Sequence, residues 1–293
     1  MIALRVENLV KTYKDFRLEI PELTLESGYI MGLLGRNGAG KTTLIKCILD
    51  LAKKESGQVF IFEKLFDSDE IETKQRLGIV METPVLPANY KPKEIKQIFL
   101  AFYKTWDEKL FKKLCDLFEI DQNKKILQLS KGTIMKLSIA LALSTKPDFL
   151  ILDEPTSGLD PVARNQFIEI LQSFVQSEEK TVFYSTHIVS DIENVADFVT
   201  IIDGGKIIFS ASRESIEEEF CIVKGPAKEA DKVPARAVLS MKKGSFSFEA
   251  LCKKKEIERF LQPGFVVEKP SIEKFYVMLV RKDEKDDKVL EIL

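Results

Sequence analysis

The sequence predicts an α/β fold, and two stretches carry most of that prediction. The first is an apolar run at residues 29–34 that leads into a glycine-rich loop and then into helical apolar spacing at residues 43–49. The second is an apolar run at residues 149–152 that ends in two adjacent carboxylates, Asp153 and Glu154. Short apolar runs are typical of buried strands, and strands alternating with helices are typical of an α/β core.

The loop after the first strand matches the phosphate-binding motif G-x-x-x-x-G-K-[ST] in full, because residues 35–42 read Gly-Arg-Asn-Gly-Ala-Gly-Lys-Thr. Small residues let backbone N–H groups surround phosphate oxygens, while the lysine reaches the β- and γ-phosphates and the threonine hydroxyl reaches Mg²⁺. The glycine order differs from the G-x-G-x-x-G of a dinucleotide-binding loop, so that alternative is rejected. The candidate nucleotide-binding residues of the loop are Gly35, Asn37, Gly38, Ala39, Gly40, Lys41, Thr42 and Thr43.

The acidic pair at the end of the second apolar run requires a cation or a reaction. Two consecutive carboxylates cannot both be core residues, because burying an unpaired charge is costly. Successive strand residues point to opposite sides, so one acid can serve a metal ion and the other a water molecule. A surface ion-pair patch is the competing interpretation, and the apolar run before the pair disfavours it. This division of roles is what a nucleotide hydrolase requires.

The composition is that of an ordinary globular protein and argues against several classes. The chain has 293 residues, 45% of them apolar, and a net charge of -2, which provides no basic field for nucleic acid. No apolar stretch approaches the roughly 18 residues of a membrane span, and the N-terminus lacks a signal-peptide pattern, so we expect a cytosolic chain. The 4 cysteines are far apart and accompanied by 1 histidine, which argues against a metal cluster or a disulfide framework.

Three further stretches extend the pattern. They are the signature segment Leu-Ser-Lys-Gly-Thr at residues 129–133, Leu-Gly-Ile-Val-Met-Glu at residues 77–82, and Ser-Thr-His at residues 185–187. In order and spacing, residues 1–212 resemble the ATP-binding subunit of an ATP-binding cassette (ABC) transporter. In that resemblance residues 35–42 match the Walker A loop, 150–154 the Walker B strand, 157–160 the D-loop, and His187 the switch histidine.

The resemblance implies a fold and a role for each matched residue. It implies a P-loop NTPase core of ABC type, with an antiparallel β subdomain and an inserted helical subdomain, that binds ATP and Mg²⁺. Glu154 is implied as the general base, Asp153 as a Mg²⁺ ligand, and His187 as the contact to the γ-phosphate and the attacking water. Lys41 is implied as a catalytic contact to the phosphates, and Tyr13 as the aromatic residue that stacks on adenine. Outside the family, a lone histidine is more often a packing residue and Tyr13 an edge-strand residue.

Two departures from the family pattern stand out. In the usual L-S-G-G-Q signature, Lys131 replaces the first Gly and Thr133 replaces Gln, whereas Ser130 and Gly132, which reach a γ-phosphate, are retained. A plain helix cap is the alternative role for Ser130. Glu82 stands where the family usually has a Gln that ligates Mg²⁺, and a carboxylate there can bind the ion while adding negative charge. This combination resembles a prokaryotic subset grouped with peptide-antibiotic and sodium exporters.

The chain is expected to divide into a cassette, residues 1–214, and an accessory domain, residues 215–293. Within the cassette, residues 83–145 approximate the helical subdomain, and its proline-bearing segment 83–92 is either a docking site for a membrane subunit or an ordinary connector. The helices predicted there cover residues 94–103 and 107–119.

The accessory domain is predicted as a small α+β unit without a catalytic motif. Its charged run at residues 281–288 is interpreted as a solvated face. The predicted strands are 220–224, 235–241 and 245–250, and the predicted helix is 271–281.

These patterns predict an ATPase subunit that powers a membrane transporter, with export favoured over import. The expected partners are a separate transmembrane permease subunit and a second nucleotide-binding chain, in a homodimer or heterodimer, without nucleic acid. ATP would lie between Lys41 and Thr42 of one chain and Ser130 and Gly132 of the other, at the cytoplasmic face of the cell membrane. A soluble ABC ATPase of DNA repair or ribosomes is the alternative, disfavoured by the single contiguous cassette. A small-substrate phosphotransferase is disfavoured by the signature segment.

Overall fold

The computed structural model describes residues 1–67, 70–176 and 180–280. The chain divides into two compact units, of which the first is Met1–Ser210 and the second begins at Ala211. The sequence places the start of the accessory domain slightly later, at residue 215. Strands alternate with helices through the first unit, so the predicted α/β class is confirmed.

The elements that begin in the first unit follow in chain order. Its strands are β1 (Ile2–Tyr13), β2 (Phe16–Glu26), β3 (Ile30–Leu34), β4 (Ser56–Ile61), β5 (Lys64–Leu65), β6 (Leu77–Val80), β7 (Phe149–Asp153), β8 (Thr181–Thr186), β9 (Phe198–Asp203) and β10 (Lys206–Ser212). Its helices are α1 (Lys41–Ile48), α2 (Ile71–Gln75), α3 (Pro92–Phe102), α4 (Glu108–Leu117), α5 (Lys131–Ser144), α6 (Pro161–Gln176) and α7 (Val189–Ile192).

The central sheet determines where the sequence motifs meet. Its order is β10-β9-β3-β8-β7-β6, and β9, β3, β8, β7 and β6 run parallel. Parallel strands end at the same edge of a sheet, and ligands of α/β proteins bind outside that edge. The residues that follow β3, β6, β7 and β8 include the phosphate loop, Glu82, Glu154 and His187, so the topology brings all four to one edge.

A second sheet, antiparallel and of order β2-β1-β4-β5, shares its core with the central sheet. Leu9, Ile20 and Val59 of this sheet belong to the same buried cluster as Ile48 of α1 and Phe149 of β7. Fully burying a large apolar side chain contributes about 1.5–3 kcal/mol, so this cluster fixes the phosphate-loop helix between the two sheets.

The inserted helices differ slightly from those predicted. The first begins at Pro92, because proline suits the first turn of a helix, and Glu94 accepts a hydrogen bond from the Lys91 N–H at 2.8 Å. The second begins after Asp107, whose carboxylate accepts from Leu110 N at 2.9 Å as an N-cap. On α3, Ile95 is buried, whereas the apolar residues Ile98, Leu100 and Phe102 are exposed.

The second unit, as far as residue 280, holds a four-stranded antiparallel sheet of order β12-β13-β11-β14. Its strands are β11 (Phe220–Pro226), β12 (Val238–Lys243), β13 (Ser247–Lys253) and β14 (Val266–Glu268), and its helices are α8 (Arg213–Glu219), α9 (Lys254–Ile257) and α10 (Ile272–Val280). A cavity of about 1070 Å³ lies along β12 and α10 in this unit.

The predicted elements of the second unit need two corrections. The strand placed at 235–241 begins only at Val238, because residues Ala235–Ala237 form a 3₁₀ turn after Pro234. The strand placed at 245–250 begins at Ser247, because the turn closed by Gly244 N donating to Ser247 O at 2.8 Å occupies the preceding residues. The predicted helix agrees with α10 up to Val280; its residue 281 and the charged run 281–288 lie outside the described residues.

Among the described residues, no helix combines the length and the apolar character needed to cross a bilayer. All 4 cysteines are buried and free of disulfide bonds.

Candidate functional site

The phosphate loop connects the end of β3 to the start of α1, and its glycines have a steric reason. A Cβ on Gly35 would lie 2.6 Å from the carbonyl oxygen of Ile202. Gly40 has φ 113°, a left-handed conformation, and a Cβ there would lie 2.9 Å from the ring of Phe16. Neither position accepts a side chain unless neighbouring atoms move. Glycine at both positions therefore allows the loop backbone to lie close to the edge of the sheet.

Lys41, the first residue of α1, directs its ammonium group into the loop. Its Nζ donates to the carbonyl oxygens of Gly35 at 2.7 Å and Arg36 at 3.1 Å. The same atom lies 3.1 Å from Oε1 of Glu154, and both side chains are 5% exposed. Glu154 Oε1 has no hydrogen bond of good geometry, so we describe this contact as an ion pair rather than a directed hydrogen bond.

Glu154 occupies a constrained backbone position just beyond β7. Its φ is 48°, in the left-handed region, where a residue with a side chain costs on the order of 1–3 kcal/mol. Its N–H donates to Ser185 O at 3.0 Å, which anchors the turn to β8. Its Oε2 lies 2.8 Å from Nδ1 of His187, so the two predicted catalytic residues are in direct contact.

Asp153 is fully buried at the end of β7, beside the phosphate loop. Its Oδ1 accepts a hydrogen bond from Ser185 Oγ at 2.6 Å, while Oδ2 is buried without a hydrogen-bond partner. Burial raises the pKa of the Asp153 carboxyl, and the hydroxyls of Ser185 and Thr42 act in the opposite direction.

The groups around Asp153 fit a magnesium ion. Buried acceptors in proteins are nearly always satisfied, whereas Asp153 Oδ2 has no hydrogen-bond donor. The Thr42 hydroxyl lies close to the same carboxyl group. The described residues contain no cluster of three or more His, Cys, Asp or Glu side chains able to enclose a metal. A Mg²⁺ site does not require such a cluster, because the ion is held by one or two carboxylates together with water and substrate phosphates.

The loop and the acids line one cavity of about 320 Å³. Its wall includes Glu82, one of the residues that depart from the family pattern, so this carboxylate is placed beside the phosphate loop. Residues lining the cavity are Asn37, Gly38, Gly40, Lys41, Thr42, Glu82 and Glu154.

Two other loop candidates, Ala39 and Thr43, do not line this cavity. Ala39 is buried; its N–H donates to Arg36 O at 3.1 Å, and its carbonyl accepts from Gly205 N at 3.0 Å. Thr43 is half-buried in the first turn of α1 and does not line the cavity.

The signature segment does not line this cavity. Ser130 is the N-cap of α5, accepting a hydrogen bond from Thr133 N at 3.1 Å, so the helix-cap role is present, and the residue is exposed. A Cβ on Gly132 would lie 2.5 Å from the carbonyl oxygen of Gly158 in the D-loop. The close approach of these two backbones explains why a glycine stands at 132.

Tyr13 ends β1 and is 46% exposed. The ammonium of Lys11 lies 5.0 Å from the centre of its ring. The ring is therefore accessible to a stacking partner, although it does not line the phosphate cavity.

Two contributors were given no role by the sequence. Ser185 binds both acids, through its side chain to Asp153 and through its carbonyl to the N–H of Glu154. Asp191 is a buried carboxylate close after His187. Ser185 could have been found from its place in the Ser-Thr-His stretch, whereas no pattern in the sequence distinguishes Asp191.

Comparison with known proteins agrees with this geometry. The family model described as ABC transporter matches residues 18–157. The bacitracin transport ATP-binding protein BcrA of Bacillus licheniformis is 34% identical over 208 residues, covering 70% of this chain and 68% of that protein. The lantibiotic transport ATP-binding protein SrtF of Streptococcus pyogenes is 34% identical over 224 residues, covering 74% of this chain and 95% of that protein.

A solved structure, described as the ATP binding subunit of an ABC transporter, superimposes on this chain with a TM-score of 0.65 at 26% identity. The alignment covers 74% of this chain and 92% of that structure. The predicted fold type is therefore confirmed for the cassette.

Proposed function

Since this chain belongs to the ABC transporter family and is an ATP-hydrolysing subunit that drives transport, we propose that Glu154 is the base that activates water in its phosphate cavity. The observation that carries this proposal is the position of one carboxylate between Lys41 and His187, at 3.1 and 2.8 Å. A base must stand within hydrogen-bond reach of its water, and Glu154 lines the cavity in which the phosphates would lie.

The other groups of the cavity supply charge and position. Lys41 would move its ammonium from the loop carbonyls to the β- and γ-phosphates, which offer full negative charge. Asp153 and Thr42 would hold Mg²⁺, with Glu82 as a further oxygen ligand, and the ion would neutralise charge that develops on the phosphates. His187 would keep Glu154 oriented and donate toward the γ-phosphate.

We propose that a second nucleotide-binding chain completes the site. Ser130 and Gly132 lie outside the cavity formed by Lys41 and Glu154, and this separation supports their use in the site of a partner chain. Ser130 stands at the N-terminus of the 14-residue helix α5, where partial positive charge favours an anion. Two copies arranged head to tail would form two sites, and a paralogue could replace one copy.

The membrane subunit would dock on the segment at residues 83–92. Val85 is 93% exposed, and the side chains of Tyr90 and Leu127 are also exposed. Ile126 N donates to Tyr90 O at 2.8 Å and Leu127 N donates to Ala88 O at 3.0 Å, so the backbone that carries Tyr90 is joined to the backbone that carries Leu127. Exposed apolar side chains brought together in this way are typical of interaction sites. The docked chain would lie at the cytoplasmic face of the membrane.

Export of a peptide antibiotic is the transport function we favour. The relatives named for bacitracin and lantibiotic transport support this class of cargo, together with the Leu-Ser-Lys-Gly signature and Glu82. Similarity to transport proteins disfavours a role in DNA repair or on ribosomes. Recovery of the chain with a polytopic membrane protein would support the assignment, and recovery with ribosomes or DNA would contradict it.

The decisive experiment replaces Glu154 with Gln, which keeps the shape of the side chain and removes its basicity. We expect the turnover of ATP by the purified chain to fall by roughly 10²-fold or more, with ATP binding retained and an ATP-bound dimer accumulating. Lys180→Gln, which alters an ion pair with Asp148 at the starts of β7 and β8, the ends opposite to Glu154 and His187, serves as the control. Near-normal turnover of the Glu154 variant would remove this residue from the base role.

A further inference from the structure

Asp191 is a buried carboxylate that lies next to the candidate site without lining its cavity. It belongs to α7, just after His187, and is 1% exposed. A buried charge is tolerated only when it is paired and hydrogen-bonded, and this one has four partners. It accepts from Thr156 Oγ1 at 2.6 Å, from Tyr184 Oη at 3.0 Å and from Thr186 Oγ1 at 3.4 Å, and it forms an ion pair with Nε of Arg164.

Two of these donors flank the hydrolytic pair. Thr156 follows Glu154 by two residues, and Thr186 immediately precedes His187. The hydroxyl of Thr186 also accepts from Ile188 N at 3.0 Å, so the backbone on both sides of His187 is tied to the same group. Asp191 therefore joins the turn that carries Glu154 to the turn that carries His187.

The ion pair extends the network to the D-loop. Arg164 lies in the first turns of α6, and its backbone N–H donates to the backbone carbonyl oxygen of Asp160 at 2.9 Å. Asp160 Oδ1 accepts from Ala163 N at 2.9 Å, which fixes the start of the helix. Asp191 thus connects three segments, those that follow β7 and β8 and the one that opens α6.

We propose that Asp191 is a positioning residue that sets the contact between Glu154 and His187 through the hydroxyls of Thr156 and Thr186. It touches neither nucleotide nor water itself. The inference rests on the proposed roles of Glu154 and His187 in hydrolysis. A small displacement of Glu154 or His187 lowers the rate of hydrolysis without altering nucleotide binding, because only the reaction requires both side chains at the correct distance from each other.

The first test compares two variants, each of which lacks one hydroxyl that donates to Asp191. Thr186→Val removes the donor next to His187, and we expect kcat to fall by about 10-fold with the ADP dissociation constant unchanged within about twofold. Thr186→Ser keeps the hydroxyl and should restore turnover. Tyr184→Phe removes a donor that flanks neither catalytic residue, and we expect a lower melting temperature with near-normal kcat. Equal losses of kcat in the Val and Phe variants, or no loss in the Val variant, would overturn the proposal.

The second test asks whether Asp191 acts through Glu154. Asp191→Asn should lower kcat by about 10-fold in the natural background and should add no further loss to Glu154→Gln, because residues that act as a unit are not additive. Losses that multiply would assign Asp191 a separate structural role. If Asp191→Asn does not fold, Thr156→Val replaces it in the same double-mutant comparison with Glu154→Gln. Normal turnover of Glu154→Gln alone would refute the base role, whereas the comparison of the Thr186 and Tyr184 variants would still report on Asp191.

Discussion

Nδ1 of His187 lies 2.8 Å from Oε2 of Glu154, so the histidine that follows β8 directly contacts the carboxylate that follows β7. Glu154 is buried, whereas the His187 side chain is 41% exposed. The imidazole therefore contacts the Glu154 carboxylate at one end and is accessible at the other. A group in that position can orient the carboxylate and respond to a phosphate that reaches the site.

Replacing His187 with Ala tests that contact. We expect ATP turnover to fall by about 10²-fold, because Glu154 loses the group that orients its carboxylate. ATP binding should remain, since Lys41 and the loop are unchanged. Steady-state hydrolysis and equilibrium nucleotide binding measure the two quantities, and a parallel loss of both would instead indicate a binding role.

Glu82→Gln tests the third carboxylate of the site. The amide is a weaker ligand for Mg²⁺ than the carboxylate, so we expect the Mg²⁺ concentration that gives half-maximal hydrolysis to rise by about threefold to tenfold. Titration of activity with Mg²⁺ at saturating ATP checks this expectation. Glu72→Gln, at an exposed position of α2, is the control. An unchanged midpoint would separate Glu82 from the metal.

Ser130→Arg tests the two-chain site. A long cation at the N-terminus of α5 should block the ATP-dependent dimer, which is measured by light scattering in the Glu154→Gln background. Nucleotide binding by the monomer should persist, because Ser130 does not line its cavity. Leu117→Arg adds the same charge at another exposed site and should leave the dimer intact. A normal dimer in the Ser130 variant would contradict the head-to-tail arrangement.

Gly132→Ala tests the contact between the signature segment and the D-loop. The added Cβ would lie 2.5 Å from Gly158 O, so one backbone must move, and we expect a loss of about 1–3 kcal/mol in the free energy of unfolding. Gly244→Ala is the matched control, because its Cβ would lie 3.4 Å from Ser247 O. Chemical denaturation gives both values, and equal stabilities would show that the contact relaxes without cost.

Several features could be read from the sequence because they depend on local chain order. The glycine loop, the acidic pair and the Ser-Thr-His stretch each follow an apolar run, so strand and site residues are specified together. The parallel sheet then places their ends at one edge, which is why Lys41, Glu154 and His187 meet there. The predicted strand at 235–241 was less accurate, because Pro234 and the turn that follows it shorten β12.

The sequence by itself determined the α/β class, the phosphate loop and the identity of the acids, since these follow from residue type and spacing. Only the tertiary structure decided that Lys41 and His187 contact opposite oxygens of Glu154, and that Asp191 ties both flanking turns together. It also decided that Gly132 faces Gly158 and that Ser130 stands outside the cavity. Most of these relationships join residues far apart along the chain, and their distance in space depends on how strands and helices pack.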